Sequence, residues 1–238
     1  EVQMGNHGTT TFLGDELWEN SNAATFTNGS AELRTGSEIA TGALTDDKWY
    51  EITAQDGIDF TTYGAPDNNV GTAFCLNHAS PPTMDANDKV FELISKWGLH
   101  SANHAYIASN ALVVKYKDYN YGGRVFLSDA AELSADLVVG RQYRLQFDIH
   151  ASRSTACKVR LYDGSANNFA TYTDTSADTK TFDFTAQHAT AAYFQLEFNS
   201  NGVDGDTITV DNMSLKEIGV AAGWTTADAE PLIPQTAD

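Results

Sequence analysis

From about Asn110 onward, apolar residues recur at every second position. "QYRLQFDIHA" (Gln142 to Ala151) sets Tyr143, Leu145, Phe147 and Ile149 against Arg144, Gln146, Asp148 and His150. Period two means a strand with one dry and one wet face. "CKVRLYD" (Cys157 to Asp163) repeats it through Cys157, Val159 and Leu161. "ALVVKYK", "GRVFLS", "NFATYT", "KTFDFT" and "AYFQLEFN" are further strands, separated by Gly, Asn, Asp and Ser. Strands spaced about ten residues apart with turn signals between them predict an antiparallel β-sandwich.

One strand breaks its own rhythm. In "GDTITVDNMSLKEIG" (Gly205 to Gly219), strict alternation puts Ile208 and Val210 on one face and Met213 and Leu215 on the other. An extra residue at Asp211-Asn212, a β-bulge, restores a single apolar face. A bulge also frees backbone carbonyls. Together with the Asp211 carboxylate these form an oxygen-rich corner of the kind Ca²⁺ takes, or Asp211 simply bonds a loop or faces water.

The N-terminal half is less regular. "KWYEIT" is a short strand with Trp49 or Tyr50 inward, followed by a stretch dense in Gly, Asn and Asp up to Phe74. This reads as a small β unit with few core residues. Pro81-Pro82 cannot sit inside a sheet, so "NHASPPTMDAND" reads as a linker. "DKVFELISKWG" (Asp88 to Gly98) fits a short helix or a strand pair broken at Ser95. The expected division is an arm at 1–40, the small β unit and linker at 41–95, a β-sandwich at 96–218 and an arm at 219–238. The arms carry Phe12, Leu13, Leu17, Trp18, Trp224, Leu232 and Ile233 without periodicity. They are expected to order against other subunits, which implies a homo-oligomer or larger assembly.

Charge narrows the partners. Thirty-two acids against 14 Lys and Arg give a formal charge of −18, which repels nucleic acid. No apolar run is long enough to span a bilayer, so no membrane partner is expected. Glu1 to Asn6 lacks the basic and apolar regions of a secretory signal. Cys75 and Cys157 are the only cysteines and make no disulfide framework. There is no nucleophile elbow, phosphate loop or His-Glu-x-x-His. His100 and His104 are four apart without an adjacent Glu, and read as surface or packed residues. An acid pair such as Asp148 with Glu197, facing across strands, is the nearest approach to glycosidase chemistry. The expectation is a protein without catalytic residues. "KYKDYNYGGR" (Lys115 to Arg124) gathers Tyr116, Tyr119, Tyr121 and Arg124. Exposed aromatics beside Arg suit a sugar ring or a subunit interface, or are ordinary packing.

The stretch from about Trp97, closing on "ITVDNMSLKEIG", resembles carbohydrate-binding-module-like jelly rolls. That resemblance implies an all-β jelly-roll sandwich and a structural Ca²⁺ with Asp211 among its ligands. "WYEITAQDGIDFTTYGAPDNNVGTAF" (Trp49 to Phe74) resembles a small module of tailed-bacteriophage structural proteins, especially marine ones. "GNHGTTTFLGDEL" (Gly5 to Leu17) resembles their amino-terminal ends, and "DNMSLKEIGVAAGWTTADAEPLIPQTA" (Asp211 to Ala237) the junction after their jelly rolls. These resemblances imply a non-enzymatic component of the virion surface: a capsid decoration, head-fibre or tail-associated protein. Its partners would be capsid or tail subunits and a cell-surface or environmental glycan. The alternative is a secreted bacterial carbohydrate-binding module of a polysaccharide-degrading system.

Overall fold

A computed structural model describes residues 13–16, 34–93, 97–100, 104–116, 124–128, 136–152, 157–163, 170–172, 178–187, 192–198 and 203–219. Its strands are β1 (Leu13–Glu16), β2 (Arg34–Ile39), β3 (Gly42–Ala43), β4 (Trp49–Ala54), β5 (Ala73–Cys75), β6 (Thr83–Met84), β7 (Lys89–Leu93), β8 (Trp97–His100) and β9 (His104–Ala108). They continue with β10 (Ala111–Lys115), β11 (Arg124–Ser128), β12 (Gln142–Ala151), β13 (Cys157–Asp163), β14 (Ala170–Tyr172), β15 (Asp178–Thr185), β16 (Ala192–Phe198) and β17 (Thr207–Ile218). Apart from one 3-10 turn at Phe60–Tyr63, the described residues form an all-β sandwich, as the period-two pattern predicts, of the jelly-roll type that the resemblance implies. "DKVFELISKWG" supplies β7 and β8, so its strand-pair reading holds.

The large sheet runs β15-β12-β17-β10-β9-β5-β4-β7-β2, with β1 added beside β17. The second sheet is β14-β13-β16-β11-β8, and β3 pairs β6. Trp97 and Leu99 of the second sheet share one core cluster with Tyr143, Leu145, Phe147 and Ile149 of β12. The register sets Val159, Leu196, Val125 and Leu99 in one row across the second sheet. Side chains of Val159, Leu161, Phe194, Leu196 and Phe198 lie outside the described set.

The bulge is present. Gln146 faces Ser214 and Asp148 faces Asp211, so two steps along β12 match three along β17. Asn212 carries the extra step at φ +51°, a left-handed conformation that Asn tolerates better than most residues. Val210, Met213 and Leu215 are consequently all buried in the same cluster.

The small N-terminal β unit is continuous with the sandwich, because β5 pairs β9 and prolongs the large sheet. Here the sheet is dry on both faces. Trp49, Ala73, Cys75 and Leu93 join the sandwich core. The intervening Tyr50, Ile52, Phe74 and Val90 join a second cluster with Leu44, Phe60, Leu76 and Met84. Trp49 and Tyr50 are therefore both inward. Cys75 is fully buried with a free thiol, which burial first, then Asp47 and Asp46, push far above its ordinary range.

Side-chain-to-backbone bonds hold the cover of this second cluster, which explains the Asp- and Asn-rich composition. The buried Asp88 carboxylate accepts the N–H groups of Asp56, Gly57 and Ile58. Asn68 accepts from Phe60 N at 2.7 Å. The expected linker is part of this cover: Thr83–Met84 forms β6, and Leu44 N donates to the Pro82 carbonyl. Two parts of the expected N-terminal arm are also strands of the large sheet. Leu13 lies opposite Ile218, and Arg34 opposite Leu93. Buried Glu51 explains why β2 docks, since Arg34 Nε and Nη2 both reach its carboxylate at 2.7 Å.

Candidate functional site

Between β15 and β9 one face of the large sheet points away from the sandwich core; on it His150 and Lys115 are exposed, Asp148, Thr209 and Asp211 half-buried, and Val113 and His104 buried. Leu112, Val114, Ile208, Val210 and Ile149 point into the core, so the residues alternating with them point the other way. Tyr106 lies opposite Val113, Val113 opposite Thr209, and Thr209 opposite His150, a row across four strands. Beside it run His104, Lys115 and Thr207. On the other flank Asp211 faces Asp148, which faces Thr179.

This face has a floor and a wall. Asp148, His150, Asp178, Thr179, Thr209 and Asp211 line a depression of about 300 Å³. Phe74 of the second cluster sits opposite Tyr106, so that cluster rises from the same face as a wall. In the corner between wall and floor is a second pocket of about 300 Å³, where Thr61 and Gly64 meet His104, Tyr106 and Lys115. Gly64 lets the wall come this close. It has φ +112°, and a Cβ there would lie 2.8 Å from the Cys75 carbonyl oxygen.

The polar groups are oriented by one another. Asp148 accepts from the Thr179 hydroxyl and from Asn212 Nδ2, the latter at 2.7 Å. Asp211 Oδ1 accepts from Asn212 N at 2.8 Å. Burial raises the Tyr106 hydroxyl above its ordinary value, so it is a neutral donor and acceptor near pH 7. Further along, Arg144 holds the Asp183 carboxyl below its usual range, against the opposing effect of burial.

The residues singled out in the sequence fall in different places. Asp211 stands on the open face beside the bulge. Among the described residues no group of three or more His, Cys, Asp or Glu is placed to hold a metal ion. Tyr116 is buried in the sandwich core and offers no ring to a ligand. It continues the inward alternation of Leu112 and Val114, and its N–H donates to the Asp206 carbonyl at 2.8 Å. Tyr119 and Tyr121 lie outside the described residues. Arg124 begins β11 in the other sheet, opposite Glu197 and His100, so it is not joined to this face. Glu197 belongs to β16 of that sheet, so it does not face Asp148 across neighbouring strands. His100 and His104 lie on strands of different sheets, not on one helical turn. Thr179, Thr209 and Tyr106 were not singled out. Alternation marks Thr209 as wet, but nothing local brings it beside His150.

No protein-family model matches this sequence, and no curated protein does. Similar solved structures include the enzymatically active domain of bacteriophage CBA120 tailspike protein 4, at TM-score 0.37 and 15% identity over 52% of this chain and 20% of that one. This chain thus matches only a small part of that structure's length. A family 29 carbohydrate-binding module complexed with mannohexaose gives TM-score 0.38 and 16% identity over 55% of this chain and 85% of that one. The CBM22-1 xylan-binding domain of Paenibacillus barcinonensis Xyn10C gives TM-score 0.36 and 8% identity over 54% and 89%.

Proposed function

We propose that the chain is a non-enzymatic structural protein of a tailed-phage particle surface that holds glycans on the open face of its large sheet. The observation that carries the glycan part is the walled face itself. Hydroxyl, carboxylate and imidazole groups line it on β9 (Tyr106), β17 (Thr209), β12 (His150 and Asp148) and β15 (Thr179), with Val113 of β10 between Tyr106 and Thr209 and about 4.8 Å from strand to strand. A sugar offers hydroxyls at comparable intervals, and fixed donors and acceptors on a rigid sheet bind without much loss of side-chain freedom. The particle part is supported by the resemblances of Gly5 to Leu17, Trp49 to Phe74 and Asp211 to Ala237, which occur in order along one chain. A secreted bacterial carbohydrate-binding module is the second reading, favoured by the same face, which needs no particle in order to work.

Affinity electrophoresis of the full chain through a panel of neutral and acidic polysaccharides tests the glycan part. The native protein should be retarded by at least one of them. Thr209→Trp, which fills the middle of the row, should not be. Equal retardation of both proteins moves the contact off this face, and no retardation by any polysaccharide removes it. Co-sedimentation with purified particles, against free secretion, separates the two settings.

A further inference from the structure

We infer that the corner pocket beside Lys115 anchors the carboxylate of an acidic sugar, so that the glycan held on this face contains uronic acid. This rests on the glycan reading above and names its chemical class. The first observation is how the cations are used. Arg34, Lys48, Lys89, Arg141, Arg144 and Lys180 are each ion-paired to a carboxylate. Lys115 and Lys216 have no such partner among the described residues, and of the two Lys115 is the exposed one and the one that lines this pocket. In a chain of formal charge −18, an uncommitted ammonium inside a pocket is unusual, because a nearby acid could readily have taken it.

The second observation is what surrounds it. Lys115 lies opposite His104 on one side and Thr207 on the other. Its pocket of about 300 Å³ also presents the Thr61 side chain and Tyr106, which is the size at which small-ligand sites begin. Ammonium and hydroxyl groups make this corner rich in donors, and a carboxylate supplies only acceptors. Asp204 also lines the pocket without pairing to Lys115. It is suited to accept from a ring hydroxyl, so the corner matches an acidic sugar better than a bare anion.

Isothermal titration of the full chain tests this with tetrasaccharides of galacturonate and guluronate, each beside its carboxyl-reduced neutral counterpart, and with inorganic sulfate. A uronate tetrasaccharide should bind about tenfold more tightly than its neutral counterpart. Lys115→Gln should erase that preference, costing uronate binding about tenfold more than neutral binding, and Lys115→Arg should keep it. Equal binding of charged and neutral sugars by the native chain, or a preference that survives in Lys115→Gln, overturns the inference and leaves the glycan reading standing. Sulfate binding at Lys115 as tightly as the tetrasaccharide makes it a plain anion site and also overturns it. Binding of none of these sugars, with none in the polysaccharide panel, defeats both readings.

Discussion

Deleting Asn212 should cost far more than replacing it. The bulge lets β17 bury Val210 before it and Met213 and Leu215 after it. Without the extra residue the strand's parity changes at that point. Either Met213 and Leu215 turn to the open face, or Ile208 and Val210 do. Burying one such side chain contributes about 1.5–3 kcal/mol, so exposing two costs about 3–6 kcal/mol. That is a large share of the roughly 5–15 kcal/mol typical of a folded domain. Replacements at Asn212 keep the parity. Gly adopts φ +51° freely and loses only the exposed bond to Asp148, so Asn212→Gly should fall within about 1 kcal/mol of native. Val at that φ meets the steric cost of the left-handed region, about 1–2 kcal/mol. Urea titration followed by tryptophan fluorescence should rank the midpoints as native and Gly, then Val, then the deletion far below, at an unchanged slope for the substitutions. A deletion variant within about 1 kcal/mol of native would refute the reasoning, because the core would then not depend on the bulge.

Asp88 gives a pH signature. Burial raises its pKa, but the N–H groups of Asp56, Ile58 and Gly57 outweigh that, and the net shift is downward. A lowered folded pKa stabilises fully above the unfolded value of about 3.9 and is lost as pH falls through the folded one. The stability gap between native and Asp88→Asn, measured by urea titration, should therefore be flat from pH 7 to about 4 and close below it. Asp88→Ala removes a charged acceptor from three part-buried N–H groups and should cost about 2 kcal/mol at pH 7, read in the same titration. Arg34→Ala leaves the Glu51 carboxylate buried without its cation. A fully buried pair broken in this way loses about 3–5 kcal/mol, and because the Arg34 side chain is 31% exposed about 2 kcal/mol is expected by thermal melting. Calcium at Asp211, which the resemblance implies, stands as a proposal. A chelator should lower the melting temperature of the native chain but not of Asp211→Ala, with about 2.7 kcal/mol at stake when free ion is 100 times its dissociation constant. An equal response in both proteins excludes Asp211 as a ligand.

What the sequence made legible was local. Alternation in Gln142 to Ala151 gave β12 and its buried face, and the broken rhythm at Asp211-Asn212 gave the bulge. What it hid was contact between distant segments. β12 lies between β15 and β17, and β9 pairs β5, contacts that no neighbouring residues encode. The open-face row is built from such contacts, so Thr209 and His150 each look like an ordinary wet residue on its own strand. Trp49 and Tyr50 misled for a related reason. A strand dry on both faces has no alternation to read, and only the second cluster explains why both are buried. Of the alternatives open for Tyr116, packing is the one realised, and the period set by Leu112 and Val114 carries it inward.

Cys75 lies in the short strand that stitches the sandwich to the N-terminal unit. A thiol so buried and so reluctant to ionise reacts with an alkylating reagent only while β5 is transiently open. In a Cys157→Ser background it therefore acts as a timer for the seam. Where reclosing outruns labelling, the alkylation rate divided by that of an unfolded peptide is the equilibrium fraction of open seam. If this opening free energy equals that of global unfolding, the two halves melt as one cooperative body. If it is smaller, the seam is a line of weakness along which the N-terminal unit can lift while the sandwich, and the face it carries, stays folded.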